Sequence, residues 1–334
     1  SFKTWRQDKG QKECIKSFLT AINANQPAIH FNELFEVLMR IALYGRTPKP
    51  ANLPYLEVVL EKLVEEGADF AVYHTLVGAC DEIKAEEFPE MHFSTFSDEE
   101  ELENFDPHFL ISLGGDGTIL DATVLIQNKD IPILGINMGR LGFLANVAKS
   151  NIETSLDALF SGRFQLDYRT LLQVRTSCNR VVKPNFALNE ITIARKETTS
   201  MITVHTYLNG AYLNSYWADG LIVSTPTGST GYSLSCGGPI IMPNSENFAL
   251  TPIAPHNLTM RPFVISDNNT LRLRVESREN EFLTSLDSRI HSFDTTTELF
   301  IQKADFRIAL VQTELQDFPS TLRNKLSWGL DYRN

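Results

Sequence analysis

Cysteine is scarce in this sequence. The 334 residues contain four cysteines, Cys14, Cys80, Cys178 and Cys236. No two of them have the spacing of zinc ligands, and so few scattered cysteines do not make a disulfide framework. This usage favours a reducing compartment, and we expect a cytoplasmic protein. No two of the seven histidines lie within one helical turn of each other, so the sequence predicts no built-in metal site.

Positive charge is also in short supply, because the net charge at pH 7 is −11. The sequence offers no basic stripe to a phosphate backbone, so we expect no nucleic-acid partner. The apolar runs are too short to cross a bilayer and the N-terminus lacks the apolar core of a signal peptide, so we expect no membrane partner. Part of the acidic charge lies between Asp81 and Asp106, where the sequence favours a solvated connection or a short helix.

Three common motifs are missing as well. The sequence has no Gly-x-x-x-x-Gly-Lys-Ser/Thr motif, which excludes a P-loop enzyme. It has no Gly-x-Gly-x-x-Gly after the first strand, which excludes the usual Rossmann mode of dinucleotide binding. It also lacks the Gly-x-Ser-x-Gly nucleophile elbow of the α/β-hydrolases.

The length is typical of two domains, and the hydrophobic pattern changes near Asn137. Apolar strands alternate with helices over residues 39–137, which predicts an α/β domain with a parallel sheet. Short strands dominate residues 138–303 and predict an all-β sandwich domain, with a hairpin at Asn209-Gly210.

The two ends of the chain differ from these domains. Residues 1–38 are predicted to be an N-terminal helical extension of unknown role, with short amphipathic helices at Gln11–Asn23 and Phe31–Leu38. The last strands are expected at Glu298–Ile301 and Arg307–Gln312. Residues 304–334 are expected to form a C-terminal segment with a helix over Pro319–Trp328.

A glycine-rich segment, Gly114-Gly115-Asp116-Gly117-Thr118, follows the apolar run Phe109–Leu113. This order predicts a buried strand, a tight turn and the start of a helix at about Thr118, which places backbone N–H groups where phosphates bind. Asp116 would lie in the first helical turn. It could accept a proton from a ribose hydroxyl or hold a magnesium ion brought by ATP. The alternative is an ordinary strand-to-helix turn with an aspartate cap.

Hydroxyl side chains and glycines crowd the segment Ser224–Ser235, between apolar neighbours. Such a polar run suits a lined cleft better than a core. Asn189-Glu190 interrupts a strand pattern, and Asp219 precedes a strand that the pattern predicts to be buried. Taken alone, the first is explained by a strand end or bulge and the second by a turn.

Five blocks of this sequence together resemble the NAD kinase family. They are Gly114–Thr118, Gly135–Ala145, Asn189-Glu190, Asp219–Pro239 and Pro252–Pro262. The resemblance runs from about Met39 to the C-terminus. The glycine-aspartate motif alone is shared with phosphofructokinases and lipid kinases, whereas the Asp219–Pro239 block is far more specific.

The resemblance implies an N-terminal α/β domain with a parallel sheet and a C-terminal all-β sandwich, with the C-terminal helix returning to the first domain. It implies that NAD lies in the cleft between the domains, often completed by a neighbouring subunit, so a homodimer or homotetramer is expected. The implied reaction is that of an ATP:NAD 2′-phosphotransferase, which phosphorylates the 2′-hydroxyl of the adenosine ribose of NAD to give NADP and ADP. Magnesium or another divalent cation would arrive with ATP.

The resemblance also implies site residues. Asp116 corresponds to the catalytic base and, with Gly117, contacts NAD. The other implied NAD contacts are Asn189, Glu190, Asp219, Thr230, Gly231, Tyr232, Ser233, Leu234 and Ser235. Phosphate or ATP contacts are implied for Gly114, Gly115, Gly117 and Thr118. Further candidates are Arg140, Phe143, Ser200, Trp217 and Arg289.

The sequence departs from the common bacterial pattern at three positions. Gly231 and Cys236 stand where alanine is usual, and Arg289 stands where glutamine is frequent. Two other functions remain open at this point. A lipid or sugar kinase shares the glycine-aspartate motif, and a non-catalytic dinucleotide sensor would bind NAD without needing a base.

Overall fold

The structure is a computed structural model that describes residues 38–140, 142–178, 182–197, 200–313 and 318–327. The helices predicted at 11–23 and 31–38 lie outside these residues, apart from Leu38. The described residues form two compact units. The first contains the residues up to Asp167 together with those from Ala309 onward, and the second is Tyr168–Ile308.

The helices and strands are numbered along the chain. The helices are α1 (Leu53–Glu65), α2 (Val77–Glu86), α3 (Glu99–Phe105), α4 (Asp116–Ile126), α5 (Ile152–Phe160), α6 (Tyr232–Ser235) and α7 (Phe318–Leu326). The strands up to the middle of the chain are β1 (Arg40–Gly45), β2 (Asp69–Tyr73), β3 (Ser94–Phe96), β4 (Phe109–Gly114), β5 (Ile133–Asn137), β6 (Gln165–Thr176), β7 (Phe186–Ala187) and β8 (Glu190–Arg195). The remaining strands are β9 (Ile202–Leu208), β10 (Ala211–Ala218), β11 (Gly220–Ser224), β12 (Asn247–Ile253), β13 (Phe263–Ser266), β14 (Leu271–Glu276), β15 (Glu281–Leu286), β16 (Arg289–Asp294) and β17 (Leu299–Gln312).

The first unit is an α/β unit built on a parallel sheet. Its strands lie in the order β3-β2-β1-β4-β5, all parallel, and the last part of β17 pairs with β5 at Leu310 and Ile133. The strands are nearly all apolar because helices cover the sheet. The chain leaves β1 in one direction along the sheet and β4 in the other, and ligand crevices form beyond the carboxyl ends of strands at such a point.

The second unit is a β-sandwich, as predicted. One sheet has the order β13-β12-β11-β8-β15-β16, with every pair antiparallel. Strands β10, β9, β14 and the first part of β17 form the other layer, and β6 pairs with β17. Alternate residues of both layers, such as Ile193 and Val204, meet in one apolar core. The predicted hairpin is confirmed, since Asn209 and Gly210 have φ of 49° and 86° between β9 and β10.

The structure corrects several details of the sequence-based interpretation. The expected strands Glu298–Ile301 and Arg307–Gln312 are one long strand, β17, because the polar residues between them remain paired as strand. The first unit extends past the expected boundary at 137 to Asp167, because α5 contributes Leu156 and Leu159 to the same core as α1. It resumes at Ala309, five residues after the expected start of the C-terminal segment at 304.

The acidic segment contains a short helix, α3, which is one of the two structures expected for it. Asp98 caps α3 by accepting a hydrogen bond from the N–H of Glu101, and three glutamates lie in the first turn, where the helix dipole favours negative charge. Within the described residues, no helix is both long enough and apolar enough to cross a membrane.

Gly135 generates the first prediction, because β5 approaches α4 closely at this residue. A Cβ at Gly135 would lie 2.6 Å from Ile119 Cδ1 and 3.0 Å from Ala145 Cα. We expect Gly135→Ala to lower the free energy of unfolding by about 1–3 kcal/mol through overpacking. The matched control is Gly78→Ala in α2, where a Cβ meets nothing within 4 Å and alanine is the better helix former.

Urea denaturation followed by circular dichroism measures both variants. The expected result is a lower midpoint for Gly135→Ala and an equal or higher midpoint for Gly78→Ala. Equal midpoints for the two variants would contradict the close approach of β5 and α4.

Candidate active site

The glycine-rich segment forms the turn between β4 and α4. Gly115 is the N-cap residue and Asp116 is the first residue of the helix, two positions earlier than predicted. A Cβ at Gly114 would lie 2.0 Å from Thr118 Oγ1, so packing requires glycine there. A Cβ at Gly115 or Gly117 would meet nothing within 4 Å. The turn therefore leaves open space beside these two backbone units, which a ligand could occupy.

The Asp116 carboxylate is held by three consecutive backbone N–H groups. Phe143 donates to Oδ2 at 2.8 Å, and Leu144 and Ala145 each donate to Oδ1 at 3.0 Å. A Cβ on Gly142 would lie 1.8 Å from Oδ1, so the segment can approach this closely only with glycine at 142. A carboxylate has about four acceptor positions. The three bonds therefore leave one position open, on Oδ2.

A second polar side chain braces the same stretch of chain. The buried Asn137 amide donates to the carbonyl of Arg140 at 2.8 Å, and its oxygen accepts from the N–H of Gly139 at 2.7 Å. The chain after β5 is thus fixed at both ends, by Asn137 and by Asp116. Phe143, a candidate from the sequence, contributes its backbone N–H to this arrangement.

A pocket of about 260 Å³ lies where the loops after β1, β4 and β5 meet. It brings together three of the four predicted phosphate-site residues, Gly114, Gly115 and Thr118, with Arg140, one of the further candidates. Asp116 and Gly117 are not among its lining residues. The first residues of the turn therefore line the pocket, whereas the Asp116 carboxylate lies outside its lining.

The pocket also contains two basic residues that sequence analysis missed. Arg46 and Lys49 follow β1 and line the pocket together with Arg140. Arg46 forms a 2.8 Å ion pair with Asp121, whereas Lys49 and Arg140 have no ion-pair partner among the described residues. Two basic residues directly after the first parallel strand were a signal that could have identified them. The floor is apolar and comprises Leu56, Leu76 and Leu113.

In the second unit, an aspartate holds the Asn189-Glu190 pair in place. The Asp287 carboxylate accepts hydrogen bonds from the N–H groups of Leu188, Asn189 and Glu190 at 2.5, 2.8 and 3.1 Å. Burial raises the pKa of Asp287, and these three donors together with Arg289 act against that rise. Only Arg289 of this turn was a candidate from the sequence, and Asp287 is a functional position that the sequence did not indicate.

Arg289 braces this turn through backbone contacts. Its guanidinium donates to the carbonyls of Leu286 at 2.9 Å and Phe186 at 2.5 Å, and it lies over the Phe186 ring. Its carboxylate neighbour, Asp287, is 3.9 Å away. These contacts give Arg289 a structural role near the candidate NAD contacts.

The structure brings Glu190 beside two other predicted residues, Gly231 and Tyr232. A Cβ on Gly231 would lie 3.2 Å from Glu190 Oε2 and 3.7 Å from Asn189 Nδ2. Burial and the nearby Asp287 raise the pKa of Glu190 to about 8, and a hydrogen bond from the Tyr232 N–H acts in the other direction. The chain from Gly228 packs so closely on Asn189 that only glycine fits at 228.

The hydroxyl-rich run is more internal than the sequence indicated. Thr225 donates to the carbonyl of Leu188 at 2.6 Å, Ser229 donates to that of Pro226 at 2.6 Å, and Ser233 bonds Thr251 at 2.9 Å. The buried hydroxyls of the run are Ser224, Thr225, Thr227, Ser229 and Ser233. The expectation that the whole run lines a cleft is therefore wrong for these buried side chains. The hydroxyls of Thr225, Thr227, Ser229 and Ser233 bond backbone carbonyls or neighbouring side chains, whereas the buried Ser224 hydroxyl has no hydrogen-bond partner among the described residues. Thr230, Leu234 and Ser235 are at least partly exposed, and Tyr232 is exposed.

The remaining candidates lie in the same unit. Asp219, just before β11, forms a 3.0 Å ion pair with Arg195. The half-exposed Trp217 ring lies 4.2 Å from the His256 ring, between centroids. Ser200 is partly exposed and lies two residues before β9. In the described part of the chain, no group of three or more His, Cys, Asp and Glu residues could hold a metal ion.

A glycine-rich turn with a fixed carboxylate, next to a basic pocket at the carboxyl ends of parallel strands, is an arrangement typical of enzymes that transfer phosphoryl groups. Comparison with known proteins identifies the family. Residues 32–164 match the profile of the ATP-NAD kinase N-terminal domain, and residues 188–313 match that of the ATP-NAD kinase C-terminal domain. The chain belongs to the ATP-NAD kinase family.

Individual relatives agree with this assignment. An NAD kinase of Flavobacterium psychrophilum is 47% identical over 300 residues, covering 89% of this chain and 100% of the relative. An NAD kinase of Cytophaga hutchinsonii is 44% identical over 296 residues, with the same coverages.

Solved structures share the fold. An NAD kinase from Archaeoglobus fulgidus in complex with ATP has a TM-score of 0.65 at 28% identity and covers 86% of this chain and 98% of that one. The yeast NADH kinase complexed with NADH has a TM-score of 0.78 at 22% identity and covers 89% of both chains.

The raised pKa of Glu190 generates a prediction about stability and pH. The folded protein holds this proton up to about pH 8, whereas an unfolded glutamate releases it near its ordinary value. Protonation of Glu190 thus favours folding. Its contribution to the free energy of unfolding is complete below the pKa of the unfolded state and is lost as pH rises through about 8. The slope is at most about 1.4 kcal/mol per pH unit.

We expect Glu190→Gln to remove this dependence, so that the variant gains free energy of unfolding relative to the wild type as pH rises from about 5 to about 8. The measurement is urea denaturation at several pH values. The control is Glu279→Gln, an exposed position, which should keep the wild-type pH dependence. Parallel curves for the wild type and Glu190→Gln would show that the buried carboxyl does not retain its proton.

Proposed function

We propose that this protein transfers the γ-phosphoryl group of ATP to the 2′-hydroxyl of the adenosine ribose of NAD, giving NADP and ADP. The family assignment and the relatives named NAD kinase support this reaction. The observation in the structure that carries the proposal is the fixed Asp116 carboxylate with one open acceptor position.

Asp116 is the proposed general base. The open position on Oδ2 can accept a hydrogen bond from the ribose hydroxyl, and the carboxylate takes the proton as the hydroxyl oxygen attacks the γ-phosphorus. The bond between the γ-phosphorus and the bridging oxygen breaks at the same time, and ADP leaves with that oxygen. Because three backbone donors hold the carboxylate still, the base needs no rearrangement before the reaction.

The proposed donor site is the pocket beside the glycine-rich turn. Gly114, Gly115 and Thr118 line it with Arg46, Lys49 and Arg140, a set of residues suited to the phosphates of ATP. A magnesium ion or another divalent cation arriving as the ATP complex neutralises phosphate charge, as phosphoryl transfer generally requires.

The proposed NAD contacts in the second unit are Asn189, Glu190, Asp219 and the segment Thr230–Ser235, apart from the Ser233 side chain, which is buried against Thr251. The fixing of Asn189 and Glu190 by Asp287 supports this assignment, because a ligand-binding pair needs a defined orientation. Glu190 with a raised pKa can donate as well as accept a hydrogen bond at neutral pH. Assembly as a homodimer or homotetramer and a cytoplasmic location remain expectations, the first testable by light scattering of the purified protein.

The first test concerns the base. We expect Asp116→Asn to lower kcat for NADP formation by a factor of about 10² or more, the range for loss of a general base. An amide keeps one acceptor oxygen but sets an NH₂ group against one of the backbone donors, so calorimetry of NAD binding and a urea midpoint must accompany the kinetics. Near-wild-type kcat with intact NAD affinity would exclude Asp116 as the base.

The second test concerns the donor pocket. We expect Arg46→Gln and Lys49→Gln each to raise KM for ATP about tenfold, because each removes a charge-assisted hydrogen bond to phosphate. KM for NAD should stay the same. Arg163→Gln, an exposed arginine outside the pocket lining, serves as the control and should leave both constants unchanged. Unaltered KM for ATP in both pocket variants would place the donor elsewhere.

A further inference from the structure

The C-terminal helix of the first unit contacts the segment that binds Asp116. Near the end of α7, the Lys325 ammonium lies 4.0 Å from Asp116 Oδ2 and 4.7 Å from the centre of the Phe143 ring. At the start of α7, the Phe318 ring lies 6.1 Å from the Phe143 ring, between centroids. The helix therefore contacts the Asp116-bound segment from both of its ends.

Stability alone does not explain this placement of Lys325. The 4.0 Å separation is at the outer limit of an ion pair, and the two side chains retain 32% and 30% exposure, so the pair contributes little to folding. What distinguishes Lys325 is the oxygen it faces. Oδ2 accepts one backbone hydrogen bond, whereas Oδ1 accepts two, so the ammonium faces the oxygen with the open position.

We propose that Lys325 is a positioning residue for phosphoryl transfer, acting through Asp116. The proposal rests on the proposed function, in which Oδ2 receives the ribose proton. In that reaction the hydroxyl lies between two negatively charged groups, the Asp116 carboxylate and the phosphates of ATP. The ammonium offsets this charge in the ground state and holds the carboxylate in the orientation that leaves Oδ2 open.

Lys325 acts while Asp116 is charged, before the proton is transferred. When the proton reaches Asp116 the carboxyl becomes neutral, and the ammonium has no carboxylate charge left to offset. Lys325 neither gains nor loses a proton in this scheme, and no bond to it forms or breaks.

The test compares Lys325→Met, Lys325→Gln and Lys325→Arg by steady-state kinetics with NAD and Mg-ATP. We expect the two neutral variants to lower kcat about tenfold with KM for NAD nearly unchanged, and Lys325→Arg to recover most of kcat, because the charge and not the side-chain shape matters. The control is Arg323→Gln, a cation on the same helix whose guanidinium bonds Ser320, and it should keep wild-type kcat. Urea midpoints identify any variant whose loss reflects unfolding.

A double-mutant cycle separates action through Asp116 from direct contact with substrate. If Lys325 acts through Asp116, Asp116→Asn/Lys325→Met has the kcat of Asp116→Asn alone. Three results would each overturn the proposal. They are a double mutant whose loss of kcat is the product of the two single losses, full kcat in both neutral variants, and a Lys325→Arg variant as slow as Lys325→Met. A wild-type protein that forms no NADP would overturn the proposed function and this inference with it. Normal wild-type turnover with an unaffected Lys325→Met overturns this inference only.

Discussion

The binding of three backbone N–H groups by the Asp116 carboxylate is the constraint on which the rest of the candidate site depends. Hydrogen bonds to a charged acceptor contribute about 1.5–3 kcal/mol each, so the three together are of the same order as the entropy cost of ordering a short loop. They fix the chain from Phe143 to Ala145, which requires glycine at 142. With Asn137 bracing the other end, the loop can supply Arg140 as one wall of the basic pocket.

The second unit also contains an aspartate that binds three backbone N–H groups. Asp287 also accepts three consecutive backbone N–H groups, from Leu188 to Glu190. The burial of Glu190 and the nearby Asp287 carboxylate raise the pKa of Glu190 to about 8. One acidic residue is thus used to orient the backbone while its neighbour retains a proton. In both arrangements an aspartate fixes the backbone conformation, which suits an enzyme whose reaction depends mainly on positioning.

Local sequence signals predicted a large part of the fold and of the site. The alternation of apolar strands with helices in the first unit, the strand before Gly114 and the Asn209-Gly210 hairpin were predictable because each depends on neighbouring residues. The glycine-aspartate turn was predictable for the same reason.

Other features depend on residues far apart in the chain and were not predicted. Nothing near Asp287 in the sequence indicates that its carboxylate bonds residues 188–190, and nothing near Lys325 indicates its approach to Asp116. The hydroxyls of Thr225, Ser229 and Ser233 looked like cleft-lining groups because a sequence shows their polarity but not the carbonyls and hydroxyls that satisfy them. The basic residues after β1 became meaningful only when folding placed them beside the glycine-rich turn.

The central claim, that Asp116 fixes the chain after β5, can be measured directly by amide hydrogen exchange in the wild type and in Asp116→Ala. The account predicts that the amides of Phe143, Leu144 and Ala145 exchange slowly in the wild type and at least about tenfold faster in the variant. The buried strand amide of Ile111 should remain protected in both proteins. Exchange of the three amides at the rate of an unstructured peptide in the wild type would contradict the account.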